Sequence, residues 1–286
     1  MKIATIILNY NSSADCRRCI GYLQRQQGVE QEIIVVDNCS RKEEIAAVQD
    51  ICHKTGVTFI ANSINSGYNA GNNVGLRYAA QKGYELALIA NPDMEFPQQD
   101  YLAKMVAAIN TDKDIVVCGS DIAGLDGRHQ SPMHRDGDWH GCWGWLTTFF
   151  KKRNAESDDF IDDFAHSHYC SKVSGCCLLI HLPFIESIGF FDEYPLLYCE
   201  EAILSRQVES AGKKMYYTTE AQAVHAHRKS EKGNPIKRFK EWRRSRLYFI
   251  DKYSGDTTLG KVMAGLSICT YTSLLIFING FKRCLK

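Results

Sequence analysis

Short runs of aliphatic, largely β-branched residues alternate with helix-length amphipathic stretches through the first half of this chain, and each run ends in small polar residues. The runs are "IATIIL", "EIIVVD", "VTFIA", "LALIA" and "IVVCGS", and helical periodicity lies between them over about 14–26, 42–53, 70–80 and 101–109. Near-continuous apolar runs of this length suit strands buried on both faces, and strands separated by helices pair in parallel through crossovers. The pattern predicts a doubly wound, mostly parallel α/β sheet flanked by helices.

In such a sheet ligands bind at the carboxyl ends of the strands. There the sequence places Asn9-Tyr10-Asn11, Asp37-Asn38-Cys39-Ser40, the stretch from Asn62 to Gly67, and Asn91-Pro92-Asp93. Turn chemistry alone enriches these residue types at any one strand end. Four polar ends on one edge of a sheet point to a binding site.

With 286 residues, 45% hydrophobic and 23% charged, the chain has enough apolar surface for one large domain or a domain with an appendage. A formal net charge of +1 gives no reason to expect a nucleic-acid partner. The distribution is nevertheless polarised: residues 228–252 carry ten Lys and Arg against three acids, an excess of +7 that leaves the remainder at −6. Twelve cysteines sit largely inside apolar runs such as "GCCLLI", which reads as reduced, buried thiols rather than a disulfide scaffold. The opening "MKIATIILNYN" lacks a small-residue cleavage site, so the protein is expected to start at Met1 in the cytoplasm. From 124 to 171 periodicity breaks down, as in a lid or a mobile insertion.

The segments "IILNYN", "IIVVDNCS", "NSGYNAGNNVG", "ANPDMEF", "VSGCCLLI", "GFFDEYPLLYCEEAILSR" and "AVHAHRKS", in this order, resemble family 2 glycosyltransferases of the GT-A fold. Within that family they are most similar to rhamnosyltransferase-like bacterial enzymes of surface-polysaccharide synthesis. The resemblance covers about residues 1–235, with 236–286 left as a C-terminal segment, and its weight lies in the ordered set.

It implies inverting transfer of a sugar from a nucleoside-diphosphate donor to an acceptor hydroxyl, with dTDP-rhamnose as favoured donor and UDP-hexoses or UDP-galactofuranose next. Such chemistry needs a cation against the leaving diphosphate and a base for the acceptor proton. By resemblance Asp93 and His225 hold Mg2+ or Mn2+, and Glu201 stands at the base position. Asp37 and Asn11 border the nucleobase, and Asn38, Asn72, Asn91 and Arg206 are further donor-binding residues. Two departures stand out: the family's base is usually Asp, and its second acid, two residues on, is here Ile203.

Blander readings stand beside these. Asp93 also suits the cap of a following helix, Asp37 an Asx turn with Ser40, and Glu200 with Glu201 the electrostatics of a helix N-terminus. Asn72 lies where ordinary capping favours Asn and Gly. His227, two residues after His225, is assigned no role, and "HSHYC" at 166–170 lacks a second ligand pair at zinc-like spacing. A catalytically degenerate sugar-nucleotide or glycan binder is the first alternative. A thiol redox protein using Cys16-Arg17-Arg18-Cys19 is the second, although Asp15 stands where such motifs carry an aromatic.

The basic stretch interleaves Ile236, Phe239, Trp242, Phe249 and Ile250 at helical spacing, and an uncharged run over 262–278 follows. The run is slightly short for a span and contains Ser, Thr and Gly, so it reads as an interfacial membrane-bound hairpin ahead of a single span or a soluble packing helix. The expected setting is the cytoplasmic face of the cell membrane, with a glycan or polyprenyl-diphosphate-linked acceptor.

Overall fold

The computed structural model describes residues 2–136, 141–148, 163–227 and 234–284. The first half alternates as expected: β1 (Lys2–Asn9), α1 (Ser13–Leu23), β2 (Glu30–Asp37), α2 (Lys42–Thr55), β3 (Thr58–Ala61), α3 (Tyr68–Gln81), β4 (Leu86–Ala90), β5 (Met94–Glu95), α4 (Tyr101–Ile109) and β6 (Ile115–Gly124). Then follow α5 (Trp145–Thr148), β7 (His168–Cys170), β8 (Cys177–His181), α6 (Leu182–Ser187), α7 (Glu200–Ser210), β9 (Lys214–His225), α8 (Pro235–Lys252) and α9 (Thr258–Cys284).

The strands form one sheet in the order β3-β2-β1-β4-β8-β6-β9-β5, with β7 also on β9. The first four are parallel. Strand β8, the run "CLLIH", enters antiparallel between β4 and β6, so β6 keeps the direction of β4 without touching it. Periodicity shows that a run is a strand but not which neighbour it will pair with.

Side chains of β1 alternate between the two faces. Ile3 and Ile7 join a core with Ile20 and Leu23 of α1, Val48 of α2 and Met105 of α4. Ala4, Ile6 and Leu8 join a second with Leu76 of α3 and Ile185 of α6. Helix α3 lies unusually close to the sheet: a Cβ on Gly71 would come within 2.5 Å of Leu8, and one on Gly75 within 2.6 Å of Ile6. These glycines let the helix bring its N-terminus, Gly67, against the strand ends.

A third core joins Ala202 and Ile203 of α7 to Phe249 and Ile250 of α8 and to Ala264 and Ile268 of α9. The apolar residue that replaces the family's second acid is therefore fully buried under the C-terminal helices. The run 262–278 is part of one continuous helix, not a hairpin; α8 and α9 make the hairpin instead. Residues 258–280 of α9 are long and apolar enough to cross a membrane by length and composition. The helix shows two faces. Ala264, Ser267, Ile268 and Thr272 are buried, whereas Leu259, Val262, Leu266 and Phe277 are 54–72% exposed.

Candidate active site at the carboxyl edge of the sheet

The turn after β4 closes with the Met94 N–H donating to the Asn91 carbonyl at 3.1 Å, Pro92 filling the corner position. The Asn91 N–H in turn donates to the Cys176 carbonyl at 2.8 Å. This turn aims Asp93 across to β9, because Met94 of β5 pairs with His225. Asp93 Oδ1 lies 3.2 Å from His225 Nε2, and Oδ2 lies 3.1 Å from His227 Nδ1. Asp93 caps no helix: the N-cap of α4 is Asp100.

One ligand atom from each of Asp93, His225 and His227 falls within 4.8 Å of the other two, a spacing that suits a single cation. Burial pushes the Asp93 carboxyl up, but His225 and His227 outweigh it and hold it below the usual carboxylate range. Burial likewise opposes the His225 imidazolium, yet the bonds to Asp93 and Cys176 lift it to about 10. Gln130 fixes the ring: its Oε1 accepts from His225 Nδ1 at 2.7 Å, which turns Nε2 toward Asp93. The sequence reading gives His227 no role and does not name Gln130. The i, i+2 spacing along an extended chain signalled His227; nothing in sequence ties Gln130 to a position 95 residues away.

Glu200 and Glu201 occupy the first turn of α7, set by two successive left-handed residues, Tyr198 at φ 77° and Cys199 at φ 68°. Neither is glycine, and such backbone is costly outside a constrained site. Glu201 Oε1 accepts from the Gly175 N–H at 3.3 Å, and a Cβ on Gly175 would sit 2.9 Å from that oxygen. Gly175 and Cys176 are neighbours, so the segment before β8 ties Glu201 to the Asn91 turn. Glu200 has a buried oxygen with no hydrogen-bond partner. Burial first, and the Glu201 charge second, push its carboxyl up to about 7.

The expected nucleobase edge is more closed than the sequence suggests. Asp37 is fully buried, with Oδ2 accepting from Asn9 Nδ2 at 2.8 Å and from Ser40 Oγ at 2.7 Å, and Oδ1 from the Ser40 N–H at 2.9 Å. Asn38 is 3% exposed: its Nδ2 donates to Asn65 Oδ1 and the Gly67 carbonyl, and its Oδ1 accepts from Asn62. Both side chains are turned inward and shape the loops here, since short polar side chains at strand ends satisfy the backbone of adjoining turns. Asn72 is also fully buried, donating to the Tyr68 carbonyl within α3 while its Oδ1 has no partner. Asn11, at φ 53°, accepts from the Arg41 N–H, and Tyr10 beside it is 52% exposed. Arg206 pairs with Glu209 of its own helix at 3.0 Å and with no member of the Asp93 cluster. The CxxC thiols, Cys16 and Cys19, are fully buried, and burial drives both well above the ordinary thiol range, the reverse of a reactive pair.

A family model described as glycosyl transferase family 2 matches residues 5–173. The low-salt glycan biosynthesis hexosyltransferase Agl10 of Haloferax volcanii is 28% identical over 203 residues, 70% of this chain and 59% of that protein. Among solved structures, GalNAc-T7 with UDP, GalNAc and Mn2+ superposes with a TM-score of 0.63 at 16% identity, over 93% of this chain and 54% of that one. S. aureus TarS 1-349 in complex with UDP superposes at 0.56 and 14% identity, over 94% and 71%. The chain thus spans little more than half the length of Agl10 and of GalNAc-T7, and the two structural likenesses concern the fold.

Proposed function

The chain belongs to glycosyl transferase family 2, and from that premise we propose that it transfers a sugar, with inversion, from a nucleoside-diphosphate donor to an acceptor hydroxyl in cell-surface glycan synthesis. The observation that carries this reading is the meeting of two half-sites on one sheet edge. Asp93, His225 and His227 form one, Glu201 the other, and Gly175-Cys176 joins them.

In this mechanism Glu201 takes the acceptor proton as the acceptor oxygen bonds to the anomeric carbon and the bond from that carbon to the diphosphate oxygen breaks. The nucleoside diphosphate leaves. Asp93, His225 and His227 fit a divalent cation, which when bound neutralises charge on the departing diphosphate. Of Mg2+ and Mn2+, two imidazoles favour Mn2+, since Mg2+ prefers oxygen ligands. Asn11 and Tyr10 border the base, Asp37 and Asn38 hold their loops in place, and Asn72, Asn91 and Arg206 support the donor side.

The donor is a dTDP- or UDP-sugar. The sequence resemblance favours dTDP-rhamnose, whereas the hexosyltransferase name of Agl10 and the UDP complexes of the structural neighbours support UDP-hexoses. The exposed apolar stripe of α9 and the exposed Lys237, Arg238, Lys240 and Arg244 of α8 support docking at the cytoplasmic membrane surface and a lipid-linked acceptor. Residues 1–235 then form the transferase domain and 236–286 its membrane-associated segment.

The test is nucleoside-diphosphate release from a panel of dTDP- and UDP-sugars, with Mn2+, Mg2+ or chelator, for the wild type, Asp93→Ala and Glu201→Gln. Metal-dependent release from one donor, lost in both variants, is expected. Saturable donor binding without release, even with membrane-extracted lipids added, would replace the transferase by a binding protein.

A further inference from the structure

Between α7 and the α8–α9 hairpin lies a cavity of about 590 Å3, a volume ordinary for small-molecule sites. Glu200 and Glu201 line it, and so do Lys172, Asp136 and Arg246. Trp145, Trp242 and Tyr271 add an aromatic wall, with ring centroids 5.4 Å apart for Trp145–Tyr271 and 6.3 Å for Trp242–Tyr271. Ser267 steadies this wall, accepting from Trp145 Nε1 at 2.8 Å while donating to the Cys142 carbonyl at 2.6 Å.

The charged trio is unbalanced. Lys172 Nζ lies 2.7 Å from Asp136 Oδ2, and Arg246 Nη1 lies 2.6 Å from Oδ1, so one carboxylate faces two cations. All three are largely withdrawn from water, with side-chain exposures of 8% for Lys172, 20% for Asp136 and 15% for Arg246. Glu200 and Glu201 line the same cavity but pair with neither cation, so among the described residues Asp136 alone is bonded to both, and a cation kept out of water is unfavourable until its own counter-charge joins it. An ammonium has three hydrogens and a guanidinium five, so both retain donors beyond those given to Asp136. Three distant parts of the chain converge here: the segment before β8, the loop after β6, and α8. Cys199 feels the charges of Arg246 and Asp136 as well as those of Glu200 and Glu201, so the trio and the proposed base share one neighbourhood.

We propose that this cavity binds the acceptor, and that the acceptor is a saccharide bearing an anionic group, a phosphate or a carboxylate, held by Lys172 and Arg246 while one of its hydroxyls meets Glu201. The aromatic rings offer apolar faces to the sugar ring. This assignment rests on the transferase reading and adds the acceptor's charge to it.

The test is fluorescence titration of the full chain, which has two tryptophans in the cavity wall, with methyl glucoside, glucuronic acid and glucose 1-phosphate. The expected result is binding of at least one anionic sugar about tenfold more tightly than methyl glucoside, the worth of one good charged hydrogen bond. Preference for the phosphate alone identifies a sugar phosphate, and preference for the carboxylate an acidic sugar. Lys172→Met keeps the buried stem and leaves a neutral Asp136–Arg246 pair, so it should abolish the preference. Asp136→Asn removes the competing carboxylate and should enlarge it, which keeps the proposal open to refutation if the first variant does not fold.

Equal affinity for all three sugars, no saturable change with any of them, or a preference untouched by Lys172→Met overturns the proposal. The last outcome would place the anion in the donor site. Binding of UDP and of dTDP with Mn2+, measured on the same proteins, separates the two readings. Binding of neither by the wild type counts against the transferase, whereas binding of either alongside equal sugar affinities counts against the anionic acceptor alone.

Discussion

Glu200 and Glu201 stand side by side in the first turn of α7, yet their surroundings separate them. Glu201 has a backbone N–H partner and faces the cavity; Glu200 has a buried oxygen with none. Removing the carboxylate of the proposed base without changing its size, Glu201→Gln, should lower transfer by roughly 10²–10⁴-fold while leaving donor affinity in place, read as kcat against the dissociation constant for the nucleoside diphosphate. Glu200 makes a different prediction. Its folded value of about 7 lies above the ordinary 4.5, so the folded state holds the proton more tightly between those limits. Stability contributed by the protonated form is full below about 4.5 and lost as pH rises through 7. Glu200→Gln should therefore melt on the order of 5 °C above the wild type at pH 8 and close to it at pH 4. A gap of the same size at both pH values would remove this account of the carboxyl.

Helices and strands carry these side chains into position, and their fit is tight where it matters. Helix α3 reaches the strand ends because Gly71 and Gly75 let it approach β1. Gly75→Ala gains about 1 kcal/mol of helix propensity but drives a methyl into Ile6, for a net loss of about 1–2 kcal/mol in a urea melt. The turn over 124–128 returns the chain to β6, where the Gln130 N–H donates to the Ile122 carbonyl and its side chain meets His225. Gln130→Leu should leave the fold intact and weaken Mn2+ binding by about 10–100-fold in a direct titration without donor, because His225 loses its orienting partner. An unchanged affinity would make Gln130 a bystander.

On the scale of the whole molecule, α8 and α9 close one side of the candidate site with their inner faces and present the apolar stripe of α9 and a basic surface of α8 outward. Vesicles containing anionic lipid should carry the wild type in a flotation assay, and Leu266→Lys with Phe277→Ser should reduce that binding by an order of magnitude or more. Release by salt alone would assign the binding to the basic surface of α8. Absence of wild-type binding would end the interfacial reading. Ile203 shows why the site belongs to this scale: two residues after Glu201, it is fully buried against α8 and α9.

The sequence by itself determined the α/β alternation and the polar strand ends along one sheet edge, and its resemblance to the family singled out Asp93, His225 and Glu201 as the residues to examine. Those signals are local, since strand runs, turn residues and motifs are written in neighbouring positions. What tertiary structure alone decided was company and exposure. Pairing of β5 with β9 brings His227 as well as His225 to Asp93, across 132 and 134 positions. The same folding turns Asp37 and Asn38 inward as loop organisers, inserts β8 antiparallel, and gathers Lys172, Asp136 and Arg246 around the cavity that Glu201 lines. Charge balance and burial are properties of three-dimensional neighbours, and a chain read in order shows only the neighbours it has along its length.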